Sequence, residues 1–142
     1  MRLTQLTLSV SALVLAATVS QAATAPEPVY NPLTVVSVLG TVTSVRQAVA
    51  DSSLPGVHLT LQAKSGTFDV YVGPSDFLKF LKVGFKTGDR VEIVGSKVKF
   101  ENADVILTRQ VDDGFALVTL RDPSGVADWK SWGKEIDPAL AQ

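Results

Sequence analysis

The chain has 142 residues, no cysteine and a formal net charge of -1 at neutral pH. This length fits one domain and leaves little room for two. The lack of cysteine excludes disulfides, zinc–thiolate sites, a thiol nucleophile and a lipid-anchored N-terminal cysteine. The slightly acidic balance disfavours a general nucleic-acid binder, which must neutralise many phosphates.

The N-terminus predicts an export signal over residues 1–22. Arg2 supplies the positive charge, and residues 6–19 form an apolar stretch of 14 residues. Ser20-Gln21-Ala22 places small residues three and one before a cut after Ala22. We therefore expect a cleaved signal peptide and a periplasmic or secreted mature protein.

Two other interpretations of this segment remain open. Cleavage after Ala25 also follows the small-x-small pattern, but it would leave Pro26 beside the cut. A retained membrane anchor is the second, although a spanning helix needs about 20 apolar residues. Charges interrupt every later apolar segment, so no membrane span is expected once the signal is removed.

The mature chain begins with a proline-rich lead-in and continues as a β-rich domain. Three prolines make residues 23–32 a flexible or extended lead-in. Over residues 33–122, short runs of Val, Thr and Ile between turn residues predict strands. Residues 123–142 are a C-terminal tail with Trp129 and Trp132. The predicted strands are 33–45, 57–62, 68–72, 90–100, 105–111 and 115–120.

Glycines and one apolar stripe add detail to this pattern. Gly40 predicts a bulge in the first strand, and Gly95 a bend in the fourth. After Gly73-Pro74, Ser75 is expected to cap a short helix whose apolar stripe runs over residues 77–81. Asp112-Asp113-Gly114 predicts a hairpin turn rather than a calcium loop, because no distal glutamate follows.

Five or six strands, with one short helix between the third and fourth, resemble an OB-fold, an all-β, small Greek-key β-barrel. The chain also resembles exported, periplasmic bacterial OB-fold domain proteins. These share Gly-Pro-Ser-Asp-Phe after strand three and an Arg-Asp turn that ends in Trp, here residues 73–77 and 121–129. The resemblance covers residues 33–130 and implies a fold rather than an activity. A β-sandwich, which needs about seven strands, and a split barrel with another strand order are the rivals.

A candidate ligand-binding face follows from strand alternation. In an OB-fold the outer face of strands two and three binds ligands. Five polar or aromatic side chains should lie outward there: His58, Thr60, Gln62, Asp69 and Tyr71. The alternatives are a hydrogen-bonded strand histidine and ordinary cross-strand packing of the tyrosine. A lone histidine does not make a metal site, so no metal is expected.

Two further groups are candidate interaction sites. Trp129 and Trp132, three residues apart, could anchor a partner or instead cover an open end of the barrel. The segment 76–99 carries six basic and three acidic residues. It could form a basic rim for an anionic ligand or contact the acidic C-terminal part of the chain, whereas exposed lysines commonly only protect strand edges. The candidate rim is Lys79, Lys82, Lys86, Arg90, Lys97 and Lys99.

These observations favour a binding protein over an enzyme. No phosphate loop, nucleophile elbow, zinc-protease motif or haem-attachment pair is present in the sequence, so no catalysis and no cofactor are expected. The first hypothesis is an exported, non-catalytic OB-fold module that binds a small ligand, oligosaccharide, peptide or cation. The alternatives are an assembly subunit that associates through sheet edges or the tryptophan tail, and a nucleic-acid-binding OB-fold, which charge and compartment disfavour. The sequence identifies no ligand, protein partner or oligomeric state.

Overall fold

The computed structural model describes residues 26–49 and 51–132, so the predicted signal peptide and residues 133–142 of the tail lie outside the described residues. The described chain is mostly β with one short helix. Two 3-10 turns, Pro32–Thr34 and Asp128–Lys130, stand near its ends. The strands and the helix are β1 Val35–Ala48, β2 Gly56–Ala63, β3 Gly66–Gly73, α1 Ser75–Phe80, β4 Arg90–Phe100, β5 Ala103–Asp112 and β6 Leu117–Thr119.

The first five strands close into a barrel. β1 pairs antiparallel with both β2 and β4, β2 pairs with β3, and β4 pairs with β5. The ring closes where β3 and β5 run parallel, with Val70 opposite Ile106 and Tyr71 opposite Leu107. This strand order, with α1 between β3 and β4, is that of a small OB-fold-like barrel. The predicted fold class is therefore confirmed.

Glycines in β1 and β4 mark places where strands cross closely. A Cβ at Gly40 would lie 2.6 Å from the backbone oxygen of Gln62, so only glycine fits where β1 pairs on both sides. The bulge predicted at Gly40 lies three residues later, between Val42 and Ser44. The bend at Gly95 is confirmed, because the register of β4 against β5 shifts between Val94 and Gly95.

Side chains from all five barrel strands fill the interior, and the predicted alternation of β2 and β3 is correct. Leu59, Leu61, Val70 and Val72 are completely buried. α1 adds Phe77 and Leu78 to the same core. Burial of a large aliphatic or aromatic side chain contributes about 1.5–3 kcal/mol, so this core supplies the main stabilisation.

Two local expectations are wrong. Pro74 occupies the N-cap of α1 without a side-chain cap, and Ser75 is the first helical residue. The Ser75 hydroxyl accepts a hydrogen bond from Gln47 of β1 instead. β6 is also shorter than predicted, because the Asp113 carboxylate accepts hydrogen bonds from the amides of Phe115 and Ala116 and holds both in the turn.

Candidate functional site

The five residues of the predicted ligand-binding face are neighbours on β2 and β3, but their side chains do not form one exposed surface. His58 and Tyr71 are 7% and 3% exposed, so the expectation that they are exposed is wrong. His58 Nε2 lies 2.9 Å from the backbone oxygen of Leu54, and the Tyr71 hydroxyl donates to that of Pro55 at 2.8 Å. The polar atoms of both rings therefore contact backbone oxygens of the β1–β2 loop.

A second, smaller core lies on this outer side of the barrel and explains the burial. The lead-in supplies Tyr30, the β1–β2 loop supplies Leu54, and the tail supplies Trp129, and they meet Tyr71 there. The ring of Tyr71 lies 5.0 Å from His58 and 6.3 Å, edge-on, from Trp129. Burial raises the pKa of Tyr71 to about 12, so the phenol stays a neutral donor. This ring is a packed internal group rather than a stacking platform.

Of the remaining three predicted face residues, Asp69 and Gln62 bond to other side chains of the protein. Asp69 forms an ion pair with Arg46 of β1, with Nη2 and Oδ1 2.8 Å apart. Gln62 accepts a hydrogen bond from the Thr67 hydroxyl at 2.7 Å. Thr60 is half-buried between them. The predicted face therefore presents polar atoms to solvent, but the rings of His58 and Tyr71 are buried.

The six predicted rim cations are all exposed but do not form one rim. Lys79, Lys82 and Lys86 lie on α1 and the segment after it, and Arg90 begins β4. Lys97 and Lys99 lie towards the far end of β4, up to about 30 Å further along the strand. Lys99 is paired with Asp104 at 2.7 Å, whereas the other five have no ion pair among the described residues.

An exposed aromatic pair includes Phe80, the last residue of α1, whose sequence neighbours Lys79 and Lys82 are also exposed. Phe80 is 61% and Trp132 38% exposed, and their ring centroids are 5.7 Å apart. Trp132 also contacts Phe77 of the core, at 5.7 Å between centroids. The described residues within two positions of either ring include three lysines and no acid. We call Phe80, Trp132, Lys79, Lys82 and Lys130 the aromatic–lysine patch.

The two tail tryptophans therefore have different surroundings. Trp129 is half-buried and lies against Gly73, where a Cβ would be 3.1 Å from its ring. Trp132 is the outer ring of the aromatic–lysine patch. Trp129 thus covers the outer face of the barrel, whereas Trp132 is exposed and its predicted role as a partner anchor stays a prediction.

Sequence reasoning missed three residues that the structure singles out. Phe80 was assigned to the apolar stripe, but a six-residue helix buries only Phe77 and Leu78. The short span between Pro74 and Gly84 could have indicated that the stripe was too wide for so short a helix. Tyr30 and Arg121 carried no sequence signal of burial, because the segments that bury them are far apart in the chain.

Exposed apolar residues, membrane-spanning helices and metal-binding clusters also bear on function. Phe115 is 97% and Leu117 62% exposed at the β5–β6 hairpin, next to Asp112 and Asp113 rather than to lysines. Within residues 26–49 and 51–132, no helix is long and apolar enough to cross a membrane. In the same residues, no group of three or more His, Cys, Asp or Glu is placed to hold a metal ion.

Fold and surface together define an OB-fold-like barrel whose usual ligand face is partly covered by its own chain. The model of the MamS/MamX magnetosome protein family matches residues 34–117, which are 84 of the 142 residues. The chain therefore belongs to the MamS/MamX magnetosome protein family. No significant match was found among curated proteins.

The family match covers the barrel but not its covering segments. It spans β1 to β5 and ends at the first residue of β6. Lys79, Phe80 and Lys82 lie inside the matched region. Tyr30 and Trp129, which cover the outer face, and Trp132 lie outside it.

Proposed function

We propose that this protein is an exported, non-catalytic binding module of the magnetosome that docks on an anionic membrane surface through the aromatic–lysine patch. The observation that carries the proposal is the pairing of two exposed rings, Phe80 and Trp132, with three lysines that have no ion pair among the described residues. The rings would enter the headgroup region while the lysines contact lipid phosphates. The resemblance of the sequence to exported OB-fold proteins supports the part of this proposal that concerns export.

The composition of the patch favours a membrane over a protein surface. Lysine is depleted in the cores of protein–protein interfaces, where arginine is enriched. Aromatic rings beside lysines are typical of membrane–water interfaces. Each lysine near an anionic leaflet contributes about 1 kcal/mol, so three lysines give a useful but salt-sensitive attraction.

The proposal of export rests on the N-terminal segment. Residues 1–22 have the charge, apolar stretch and small-residue pattern of a cleaved signal peptide. We therefore propose that the mature protein is periplasmic or secreted and meets a membrane from outside the cytoplasm.

Assembly through sheet edges has less support. Barrel closure pairs the first five strands with one another, and only the three-residue β6 ends the sheet order among the described strands. So short an edge offers few hydrogen bonds to a second chain. The exposed Phe115 beside it has no aromatic neighbour among the described rings, and it serves better as a control than as an anchor.

Vesicle sedimentation of the purified mature protein tests the proposal. We expect binding to phosphatidylglycerol-containing vesicles, little binding to pure phosphatidylcholine, and release at about 0.5 M salt, where the Debye length falls below about 5 Å. The double variant Phe80→Ser/Trp132→Ser should bind at least about tenfold more weakly, because burial of each ring contributes more than 1 kcal/mol.

Phe115→Ser is the matched control, since it removes an exposed ring that has no neighbouring lysine. It should bind vesicles as the wild type does. Equal vesicle binding by the Phe80→Ser/Trp132→Ser variant contradicts the proposal. The proposal is also contradicted if a single-stranded oligonucleotide displaces the protein from vesicles at a concentration lower than the lipid concentration needed for binding. That result would instead support the nucleic-acid hypothesis.

A further inference from the structure

Arg121 is a buried cation that forms no close ion pair among the described residues, although the negative charge of Glu27 acts on it. It is 6% exposed, and Nη1 donates to the backbone oxygen of Gly125 at 3.0 Å. Nε is buried and has no hydrogen-bond partner among the described residues. Burial lowers the pKa of Arg121, although an arginine remains charged at neutral pH. A buried charge is costly unless an opposite charge or hydrogen bonds compensate it, which makes this arginine unusual.

Two aromatic rings hold the guanidinium in place. Cζ of Arg121 lies 4.8 Å from the ring centroid of Trp129 and 5.8 Å from that of Tyr30. These cation–π contacts fix the position of the guanidinium but leave the Nε donor without a hydrogen-bond partner among the described residues. The hydroxyl of Tyr30 is also buried and has no partner in the described chain. Both donors without a partner are themselves buried atoms, so a ligand in a neighbouring cavity would meet Arg121 through its small exposed part and its charge.

A surface cavity of about 380 Å³ opens beside these groups and is bordered by both Arg121 and Tyr30. Its size falls within the range of small-ligand pockets. Val29 and Val126 supply apolar wall, and Lys130 adds a second positive charge. The cavity lies outside the region matched by the family model, which ends at residue 117.

We propose that this cavity binds a small organic carboxylate whose charged end pairs with Arg121 and whose apolar part packs on Val29 and Val126. The planar guanidinium matches the geometry of a carboxylate. Glu27 also borders the cavity, and its charge opposes a doubly charged anion such as phosphate more than a singly charged carboxylate. The site is independent of the membrane-docking proposal, apart from Lys130, which borders both.

Titration with benzoate in lipid-free buffer tests the proposal, with benzamide as the neutral analogue and inorganic phosphate as the competing anion. Emission from Trp129, which lies against Arg121, reports binding in a Trp132→Phe background. We expect saturable benzoate binding below about 10 mM, a weak-ligand range, and at least about tenfold weaker benzamide binding. Absence of saturation, or equal binding of benzamide, overturns the proposal. Tighter binding of phosphate than of benzoate overturns the carboxylate assignment.

Two variants at the cavity wall keep the test valid even if Arg121→Gln fails to fold. Val126 is 58% exposed, so Val126→Glu should leave the fold intact while its carboxylate weakens benzoate binding by about tenfold. Glu27→Gln removes the opposing charge and should strengthen binding by about twofold. Arg46→Gln, an exposed arginine paired with Asp69, is the matched control and should bind benzoate as the wild type does. Unchanged affinity in both wall variants contradicts the site. Vesicle docking is measured separately, so either proposal can fail alone.

Discussion

At the scale of single residues, short turns built on carboxylates place the groups that cover the barrel. Asp122 accepts hydrogen bonds from the Ser124 amide at 2.9 Å, the Ser124 hydroxyl at 2.6 Å and the Val126 amide at 3.0 Å. This turn sets Gly125 at φ +97°, where a Cβ would lie 2.2 Å from the ring of Tyr30. The turn thus brings Tyr30 and the Arg121 guanidinium to the same place.

The hydrogen bonds to Asp122 predict a specific dependence of stability on pH. Those from Ser124 and Val126 lower the pKa of this carboxyl below 3.8. Because the folded-state pKa lies below the unfolded value, the stabilisation is present above about pH 4 and is lost as the pH falls through the folded-state pKa.

Asp122→Asn keeps an acceptor but does not titrate, so its free energy of unfolding should fall less steeply below about pH 4 than that of the wild type. Urea unfolding at a series of pH values measures this slope. Asp122→Ala, which removes the acceptor, should instead be less stable already at pH 7. An acid slope in Asp122→Asn identical to that of the wild type would contradict the assigned role.

At the scale of elements, the C-terminal 3-10 turn supplies Trp129, which covers part of the outer face that binds ligands in OB-folds. It presses Trp129 against Gly73 and against Phe77, whose ring centroid is 5.8 Å away. It also brings Trp132 next to Phe80. The same short segment therefore closes one surface and creates another.

Replacing each tail tryptophan separately tests this division. Trp129→Ala should lower the free energy of unfolding by about 3 kcal/mol, because it removes a half-buried ring from two core contacts. Trp132→Ala should cost less than about 1 kcal/mol, since that ring is largely at the surface. Urea denaturation followed by near-ultraviolet circular dichroism measures both losses. Equal losses would show that the tail does not divide its roles in this way.

The elements of the barrel were predictable because each leaves a local pattern. Alternation in β2 and β3 correctly assigned Leu59, Leu61, Val70 and Val72 to the inside, and Gly95 marked its bend. The same alternation correctly pointed His58 and Tyr71 away from the barrel interior. It carries no information on what packs outside, because Tyr30 and Trp129 come from opposite ends of the domain. The burial of the predicted ligand face was for that reason not visible in the sequence.

At the scale of the whole molecule, the chain is an OB-fold-like barrel of the MamS/MamX magnetosome family, with Tyr30 of the lead-in and Trp129 of the tail packed on one outer face. Lys79 and Lys82 lie on and just after α1, whereas Phe115 lies in the β5–β6 hairpin beside acidic residues. On the proposed function, this uneven distribution of charge and exposed rings would orient the molecule at a negatively charged surface. We propose that the aromatic–lysine patch is the surface that faces the membrane.

Tryptophan quenching by brominated lipids tests this proposal, because Trp132 lies in the patch whereas Trp129 packs on the outer face of the barrel. In Trp129→Phe, the remaining Trp132 should shift its emission to the blue and be quenched on vesicles of brominated phosphatidylglycerol. In Trp132→Phe, which keeps a ring in the patch, the protein should still bind while Trp129 stays unquenched. Quenching of Trp129 as strong as that of Trp132, or vesicle binding without quenching of Trp132, would contradict the account.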